Sequence, residues 1–348
     1  MSDNISIFDQ AATELLRRRL RIDPQYVRVL RNRLLKKFEP DDPALSDFPG
    51  RDHVTCHSLD IFRRCDSEID GATKLLLKTR TNMLIEAVVL RIATGRTTVC
   101  VSSQVGCAAA CDFCATGRMG IARNLDASEI LDQVLRVGQL LAREKRRLHN
   151  IVFMGMGEPF HNEENVSEAL SILTSPAMFD RSPSSITVST VGIPDGMLRC
   201  ATKFPRVNLA LSLHSVNPTV RQQLIPLTKV HPLDDLRRTL HEIQRQRPRQ
   251  LMIEYLMLQA RNDSAEDAAD LIQWLQGLDV HVNLIPCNHV PEAPHLVGSS
   301  PETIAAFAAL LKNSGLKTTV RYSLGSDIAA ACGQLVRQEN RLRATASR

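Results

Sequence analysis

Aromatic side chains are scarce in this chain of 348 residues: they make up 4% of it, with one Trp and three Tyr. This scarcity argues against a protein that binds nucleic acid on a broad platform of stacked rings. The chain also lacks an apolar run long enough to span a bilayer. Its first ten residues are acidic and polar, whereas a signal peptide has a cationic start followed by an apolar run. We therefore expect a cytoplasmic protein with no membrane partner.

Cysteine, by contrast, occurs nine times, and in the cytoplasm these thiols should be mostly reduced. That favours metal-binding and catalytic roles over structural disulfides. Three of the thiols lie in the run Cys107-Ala-Ala-Ala-Cys111-Asp-Phe-Cys114, with the spacing C-x3-C-x2-C. Thiolates are natural ligands of iron–sulfur clusters, and three of them can bind three irons of a cubane cluster. The fourth iron then stays open to a substrate or cofactor.

Two other interpretations of this cysteine motif stay open. Zinc normally takes four ligands, and the chain lacks the paired C-x2-C arrangement of a zinc ribbon or finger. Free cysteines are also often buried simply as small apolar side chains. Three thiols at this close spacing make that second explanation the weaker one, so the motif favours an iron–sulfur cluster.

The formal charge of +5 is modest, but it is unevenly distributed. Nine Arg and Lys between Arg17 and Lys37 face a single acid, Asp23. A smaller basic cluster, set against Glu339, contains Arg337, Arg341, Arg343 and Arg348. Such patches can bind phosphate backbones, although a solvated helix face is the commoner explanation of any one of them.

Hydrophobic periodicity divides the chain into two regions. Residues 11–38 have helical spacing in two pieces, and we expect residues 1–80 to form a small, mainly helical accessory region that is a candidate for RNA binding. Residues 74–90 are predicted to form a hairpin-like lead-in. From Thr97 onward strands and helices alternate. The predicted strands cover residues 98–104, 151–154, 186–190, 207–213, 251–256, 281–285 and 318–322, and the predicted helices cover 127–144, 164–173, 233–246, 265–276 and 303–313.

Regular alternation predicts right-handed crossovers, a parallel sheet and an α/β fold, with a strand count that suits a barrel or partial barrel. Ligand sites of such folds lie at the carboxyl ends of the strands. The predicted strands end in polar, small or reactive residues, although a single Ser, His or Asn at a strand end is more often a turn or capping residue. Glu158 follows two glycines, which let the backbone approach a ligand. Its carboxylate can accept a hydrogen bond from an ammonium group, or it can cap the next helix, and the sequence favours neither alternative.

Five motifs in order resemble the RlmN/Cfr family of radical S-adenosylmethionine (radical SAM) methyl synthases, which modify an adenine ring in 23S ribosomal RNA. They are Val101-Ser-Ser-Gln-Val-Gly-Cys107, Phe153-Met-Gly-Met-Gly-Glu-Pro159, Ser212-Leu-His214, Asn283-Leu-Ile-Pro286 and Asp327-Ile-Ala-Ala-Ala-Cys-Gly-Gln-Leu335. The resemblance implies a partial (β/α)6-type radical SAM barrel over residues 81–348. It also implies that a C-terminal loop brings Cys332 to the barrel mouth.

The family's functional residues carry over to matching positions of this chain. By resemblance, Cys107, Cys111 and Cys114 bind a [4Fe-4S] cluster. Cys332 matches the methyl-carrying cysteine, Cys100 the thiol that resolves the covalent intermediate, and Glu86 the proton acceptor. Without the resemblance, Cys100 is naturally a core residue and Glu86 a surface strand carboxylate. Contacts to S-adenosylmethionine are implied for Gly157, Glu158, Ser189, Ser212, Leu213, His214 and Asn283. The other four cysteines are expected to be packing or surface residues.

The resemblance also implies a reaction sequence that consumes two S-adenosylmethionine molecules per turnover. The Cys332 thiolate takes a methyl group from the first. The second yields a 5'-deoxyadenosyl radical, which takes hydrogen from the methylthioether so that the carbon radical adds to adenine. Glu86 then removes the ring proton, and Cys100 attacks the sulfur of Cys332. The resulting disulfide requires an external reductant, and the cluster an external electron donor.

Branch-specific residues point in two directions. Residues 321–328 and 114–117 are closer to the Cfr branch, whose members methylate C8, whereas residues 283–286 resemble the RlmN branch, whose members methylate C2. We expect C8, with naked or partly assembled 23S ribosomal RNA as partner because the ring must be unstacked. The alternatives are an RlmN-like C2 methyltransferase that acts on ribosomal and transfer RNA, and a non-catalytic iron–sulfur RNA-binding protein.

Overall fold

The computed structural model describes residues 4–321 and 323–335. The basic cluster expected between Arg337 and Arg348 therefore lies outside the described residues, as does Tyr322 at the end of the last predicted strand. Within the described ranges, no helix has both the length and the apolar character needed to cross a membrane.

The N-terminal region begins with short helices whose starts are fixed by capping residues. Asp9 accepts from the Ala12 amide, and Asp23 accepts from the Gln25 amide with Pro24 in the first turn. A π-helical turn at Asn32–Lys36 continues the second helix. Both predicted helical pieces are thus confirmed. The elements are β1 (Ile5–Ser6), α1 (Gln10–Arg19), α2 (Pro24–Arg31), α3 (Asp41–Leu45) and β2 (Val54–Thr55).

The remaining strands form one large sheet and one small hairpin. They are β3 (Asp60–Asp66), β4 (Ala72–Lys78), β5 (Leu84–Arg91), β6 (Thr97–Cys100), β7 (Gln104–Cys107), β8 (Gly120–Asn124), β9 (Asn150–Phe153), β10 (Ile186–Thr190), β11 (Asn208–Ser212), β12 (Leu251–Met257), β13 (Val280–Pro286) and β14 (Lys317–Val320). The large sheet has the order β14-β13-β12-β11-β10-β9-β6-β5-β4-β3. Strands β6 and β9 to β14 are parallel, whereas β3, β4, β5 and β6 pair antiparallel.

Helices connect the parallel strands, as the alternation predicts. They are α4 (Ala127–Arg143), α5 (Glu163–Thr174), α6 (Pro194–Lys203), α7 (Pro218–Leu224), α8 (Leu233–Gln246), α9 (Ala265–Trp274) and α10 (Pro301–Asn313). The sequence did not predict α6 and α7, which are short and each begin at a proline. The sheet forms a partial barrel, and among the described strands β14 and β3 stand at its two edges.

Two predictions need correction. The first parallel strand was expected to run to Gln104 but ends at Cys100, because Ser102 turns the chain by donating to the Glu86 carbonyl and accepting from the Met156 amide. Gln104 instead begins β7, which pairs with β8. The accessory region is also less helical than expected, since β3 and β4 belong to the large sheet. The boundary expected after residue 80 falls in the turn between the paired strands β4 and β5.

The N-terminal helices pack on the outside of the barrel against α4. The ring of Phe38 lies where a Cβ on Gly138 would stand, with 2.2 Å between that position and Cδ1, so glycine permits the close approach. Phe8 stacks on Phe179 at a centroid distance of 6.0 Å. Phe179 lies in the loop that leads to β10, and Lys36 donates to Pro176 of the same loop. The basic helix α2 therefore ends near the amino ends of the parallel strands, whereas the predicted site lies at their carboxyl ends.

Candidate active site

The cluster loop, residues 107–117, is fixed at its base by the hairpin of β7 and β8. Gly106 has φ +84°, and a Cβ there would lie 1.9 Å from the Gly120 carbonyl oxygen. Gly117 is equally constrained, because its Cβ would lie 2.8 Å from the Cys111 amide nitrogen. Only glycine fits both positions without displacing backbone. The loop therefore folds tightly enough to bring its three cysteines to one cavity.

The three cysteine side chains fit an iron–sulfur cluster. Burial raises the pKa of the Cys107 thiol to about 12, and burial together with the neighbouring thiols also raises the pKa of Cys111. Their thiolates therefore need a bound cation for compensation. Among the described residues, no three His, Cys, Asp or Glu side chains are placed to hold a single metal ion. A cubane cluster takes each thiolate on a different iron, so three cysteines on one loop suit it.

Contacts from outside the cluster loop fix its middle. The Asp112 amide donates to the Leu224 carbonyl over 2.9 Å, which ties the loop to the end of α7. Arg118 donates to the Asp112 carbonyl over 3.0 Å and also pairs with its carboxylate. The other carboxylate oxygen lies 2.6 Å from Nε2 of His295. Asp112 thus connects the loop to three separate segments.

A cavity of about 160 Å³ lies beside the cluster loop at the carboxyl ends of the strands. Its lining includes nine of the predicted site residues, which are Cys107, Cys111, Cys114, Gly157, Glu158, Ser189, Ser212, His214 and Cys332. A larger groove of about 1210 Å³ lies between α5 and α6 but contains none of them. The smaller cavity is the candidate site because the chemistry-bearing residues converge there.

Four predicted residues do not line this cavity: Leu213, Asn283, Glu86 and Cys100. Leu213 packs fully buried in the core, and its carbonyl accepts from Arg221 over 3.1 Å. Asn283 donates to the Glu254 carboxylate over 3.3 Å, so it stands behind a lining residue.

The Glu158 carboxylate is buried and already holds two backbone groups. It accepts from the Val191 amide over 2.9 Å and from the Phe160 amide over 3.0 Å. The capping interpretation of Glu158 is therefore confirmed, which leaves the remaining lone pairs for a ligand. Burial outweighs these hydrogen bonds and raises the pKa of Glu158 to about 7. Gly157, at φ +104°, brings this segment against Gln104, where a Cβ would lie 2.6 Å from that side chain.

His214 is a neutral, oriented ring in the cavity wall. Its Nδ1 accepts from the Leu256 amide over 3.0 Å, which leaves the proton on Nε2. Burial and the nearby Arg221 lower the pKa of His214 to about 3. The ring meets Phe113 of the cluster loop edge-on at 4.7 Å between centroids. His214 can therefore donate a hydrogen bond into the cavity but not carry a charge there.

Hydroxyl and charged groups complete the wall on the next strands. Ser189 and Ser212 lie on β10 and β11 with their hydroxyl oxygens 3.4 Å apart. Glu254 and Arg321, which the sequence analysis missed, line the same cavity with 3.8 Å between Oε1 and Nη1. Burial raises the pKa of Glu254. A charged residue inside the apolar strand Leu251–Met257 was the available signal, because buried carboxylates need a partner or a function.

Cys100 and Cys332 come together although they are far apart in the chain. Cys100 ends β6 and is buried, whereas Cys332 is exposed. Burial, with a smaller contribution from Cys332, raises the pKa of Cys100 to about 12. The Arg321 guanidinium lies close enough to both thiols that they raise its pKa, Cys332 most strongly. For Cys100, Arg321 acts against burial without outweighing it.

The segment that carries Cys332, residues 323–335, crosses the open side of the barrel; we call it the carrier segment. At one end the Gly325 amide donates to Asp70 over 2.7 Å, and Asp327 accepts from Ser67 over 2.8 Å, both in the turn between β3 and β4. At the other end the Gly333 carbonyl accepts from the Ala115 amide over 2.7 Å. The segment thus joins the antiparallel edge of the sheet to the cluster loop.

Glu86 lies on β5, on the sheet face that also bears Cys100. Val88, two residues further along β5, pairs with Cys100, and residues two apart in a strand share a face. Glu86 is fully buried, with Lys74 on the neighbouring strand at 3.3 Å. The surface interpretation of Glu86 is therefore wrong.

Comparison with known proteins agrees with this geometry. The model of the radical SAM superfamily matches residues 101–275. A crystal structure of a radical SAM methyltransferase from Sphaerobacter thermophilus is 36% identical and superposes with a TM-score of 0.89, covering 95% of this chain and 99% of that one. This confirms the radical SAM fold.

Two relatives indicate which family within the superfamily this chain belongs to. A probable RNA methyltransferase from Rhodopirellula baltica is 61% identical over 99% of this chain and 91% of its own length. A dual-specificity RNA methyltransferase, RlmN 1, from Myxococcus xanthus is 42% identical over 76% of this chain and 74% of its own. The chain belongs to the radical SAM superfamily and, within it, to the RlmN-type RNA methyltransferases.

Proposed function

We propose that this enzyme methylates an adenine ring carbon of 23S ribosomal RNA and that the methyl group travels on Cys332. The observation that supports this most is the meeting of Cys100, Cys332 and the three-cysteine loop at one edge of the barrel. An enzyme that transfers methyl directly from S-adenosylmethionine does not need a pair of thiols in addition to the three cluster cysteines. A carrier thiol and a resolving thiol beside a cluster loop suit a covalent route.

The cavity residues suit S-adenosylmethionine. Glu158 and Glu254 can accept from its ammonium group, and Ser189, Ser212 and His214 can hydrogen-bond to its polar groups. We expect Leu213 and Asn283 to act indirectly, Leu213 through its backbone and Asn283 through Glu254. When bound to Cys107, Cys111 and Cys114, a [4Fe-4S] cluster with S-adenosylmethionine supplies a 5'-deoxyadenosyl radical that can abstract hydrogen from a methyl group.

Residues of this chain then form and break the remaining bonds of the reaction. The Cys332 thiolate accepts a methyl group from one S-adenosylmethionine, and a second is spent on activating the resulting methylthioether. The methylene carbon bonds to the ring, and the adduct radical then gives up one electron, which the oxidised iron–sulfur cluster would take back, and the proton that Glu86 accepts. Cys100 attacks the sulfur of Cys332, the carbon–sulfur bond breaks, and the methylene carbon takes up a proton to become methyl. The disulfide so formed must be reduced by an external thiol.

The relatives bear on which carbon is methylated. Several relatives with identities between 38% and 42% carry the name RlmN. Since RlmN-branch members methylate C2, these names favour C2 over the C8 position expected from residues 321–328. An enzyme that acts on both ribosomal and transfer RNA is the second candidate, supported by the words dual-specificity in the names of those relatives.

The basic helices α1 and α2 are our candidate for additional RNA contacts. Several of their cations are occupied within the protein: Arg17 and Arg18 pair with Glu14, and Arg33 pairs with Glu39. Because α2 ends near the amino ends of the strands, an RNA that touches it must extend along the side of the barrel. Affinity from such phosphate contacts should fall steeply with salt.

The decisive experiment is mass spectrometry of nucleosides after reaction of the cluster-loaded protein with S-adenosylmethionine, an electron donor and a 23S ribosomal RNA transcript. We expect a methyladenosine together with 5'-deoxyadenosine, and the retention time of the nucleoside distinguishes C2 from C8. A parallel reaction with transfer RNA tests the second candidate. If a fully loaded protein forms no 5'-deoxyadenosine, it is an iron–sulfur RNA-binding protein and the enzyme proposal is refuted.

A further inference from the structure

A buried lysine stands between the predicted proton acceptor and the carrier segment. Lys74 lies on β4, and its Nζ is 3.3 Å from Oε1 of Glu86 and 3.1 Å from the carbonyl oxygen of Ala329. Glu86 is fully buried, and the Lys74 side chain is 9% exposed. Ala329 belongs to the carrier segment, three residues before Cys332.

Strand register explains why these groups meet. Lys74 pairs with Val88 in β4 and β5, and Val88 pairs with Cys100 in β5 and β6. Residues paired across a sheet share a face, so Lys74 and Cys100 point to the same side as Glu86. A shift of one residue in the pairing of β4 with β5 would move Lys74 to the face opposite Glu86. The contact is therefore fixed by backbone pairing rather than by flexible surface side chains.

The cost of burying a charge restricts which groups can surround the Lys74 ammonium. A lysine this deeply buried is costly unless its charge is compensated. Here the ammonium finds both a carboxylate and a carbonyl, and the carbonyl comes from a segment of chain with no helix or strand of its own. The same ammonium therefore links Glu86 directly to the carrier segment.

We propose that Lys74 is a positioning residue for the transfer step: it pairs with Glu86 and sets the distance between that side chain and the Cys332 segment. This inference rests on the function proposed above. The methylene carbon on Cys332 and the ring proton removed by Glu86 belong to the same adduct. The carrier and the base must therefore stand in fixed relation, and a misplacement of about 1 Å can reduce a rate about 100-fold.

The test compares Lys74→Met with Lys78→Met, a matched control on the same strand and face. Lys78 is more exposed and lies 3.6 Å from Asp60 at the outer edge. Two products are followed in each variant: S-methylation of Cys332, by peptide mass, and methylation of RNA. For Lys74→Met we expect RNA methylation to fall about 10-fold to 100-fold, with Cys332 methylation within about two-fold of wild type. Lys78→Met should leave both within two-fold.

A covalent intermediate gives a second readout. Slow proton removal should cause the adduct between Cys332 and RNA to accumulate as a slowly migrating band on a denaturing gel. A lysine that served only stability would reduce both methylation steps together and leave no such band. That result, or RNA methylation within two-fold of wild type, would overturn the proposal.

The double variant Lys74→Met/Glu86→Gln keeps the test decisive if Lys74→Met is unstable. Removing one partner leaves a buried charge, whereas removing both leaves none. The double variant should regain the melting temperature lost in Lys74→Met, and failure to regain it would refute the pairing. Failure of the proposed function is distinguishable, because the wild-type protein would then form no methylated RNA at all.

Discussion

The cluster loop and the carrier segment deliver cysteines to the same cavity, but they are built in different ways. The cluster loop is the tip of the hairpin between β7 and β8, and glycines at 106 and 117 fold it tightly. The carrier segment has no helix or strand, and its position depends on hydrogen bonds from the turn before β4, from β4 itself and from the cluster loop. A rigid loop suits a permanent cluster, whereas a segment fixed at separate points suits a thiol that changes partners during turnover.

The largest effect on activity should come from a substitution in the cluster loop. Cys111→Ala removes one of the three cluster ligands, and we expect formation of 5'-deoxyadenosine to fall at least about 100-fold because an incompletely ligated cluster is unstable. Iron content and product formation are the measurements. Cys56→Ala is the matched control, since Cys56 is equally buried but lies in the N-terminal region. Retained product formation in Cys111→Ala would contradict the cluster assignment.

A substitution in the carrier segment should separate the role of Cys332 from that of the three cluster cysteines. In Cys332→Ala we expect no S-methylated peptide and no methylated RNA, while the iron content and the absorbance of the cluster stay as in wild type. Cys65→Ala, on the edge strand β3, should behave as wild type. Methylated RNA from Cys332→Ala would rule out the carrier role.

A subtler change loosens the carrier segment without touching its thiol. Asp327→Asn weakens the acceptor for Ser67 and for the Glu68 amide. We expect RNA methylation to fall about three-fold to ten-fold with unchanged iron content, together with faster amide hydrogen exchange in residues 323–335. Asp60→Asn, on the exposed edge strand, serves as the control. Unchanged exchange in the carrier segment would mean that this anchor does not hold it.

The smallest effect on activity is expected where the N-terminal region attaches to the barrel. Burial opposes the charged form of His57, but hydrogen bonds to Asp132 and Asp41 outweigh it and raise the pKa of His57 to about 9, from the ordinary 6.5. A raised pKa stabilises the fold fully below pH 6.5, and this contribution is lost as the pH rises through about 9. At most it amounts to about 3 kcal/mol.

Urea denaturation between pH 6 and pH 10 measures that contribution. The free energy of unfolding of wild type should decrease across this range by more than that of His57→Gln, which has no titrating ring. Parallel curves for the two proteins would contradict the linkage. RNA methylation at pH 7 should differ little between them, because His57 contacts α4 rather than the cavity.

Sequence periodicity was enough to predict the parallel core, and the reason is physical. The strand Ile186–Thr190 alternates buried with half-buried residues, and the helix Leu233–Gln246 places its apolar residues at helical spacing, so both were predicted at their observed bounds. The edge strand β3 was not predicted, because six of its seven residues are exposed and four of the seven are charged. Edge strands commonly have such polar sequences, which resemble loops.

Site residues that lie close together in the sequence were predictable from their motif. Site residues that meet only through the register of paired strands were less so. The cluster cysteines and Gly157-Glu158 are adjacent in sequence and were placed correctly beside the cavity. The pairing of Lys74 with Glu86 depends on how β4 aligns with β5, and a one-residue slip would abolish it. Leu213 illustrates a second limit: its side chain is buried in the core and its carbonyl accepts from Arg221, and the sequence does not distinguish such a motif residue from one whose side chain lines the cavity.

The position of the carrier segment has a consequence for how the enzyme is made. A ribosome synthesises the turn at Ser67 and the whole cluster loop well before residues 323–335 emerge. The barrel can therefore fold, and its cysteine loop can receive a cluster, while Cys332 is still absent. The carrier segment follows every described strand of the large sheet in the sequence, so Cys332 reaches the cavity only after those strands have been made. The order of synthesis therefore places the cluster loop in the chain well before the thiol that shares its cavity.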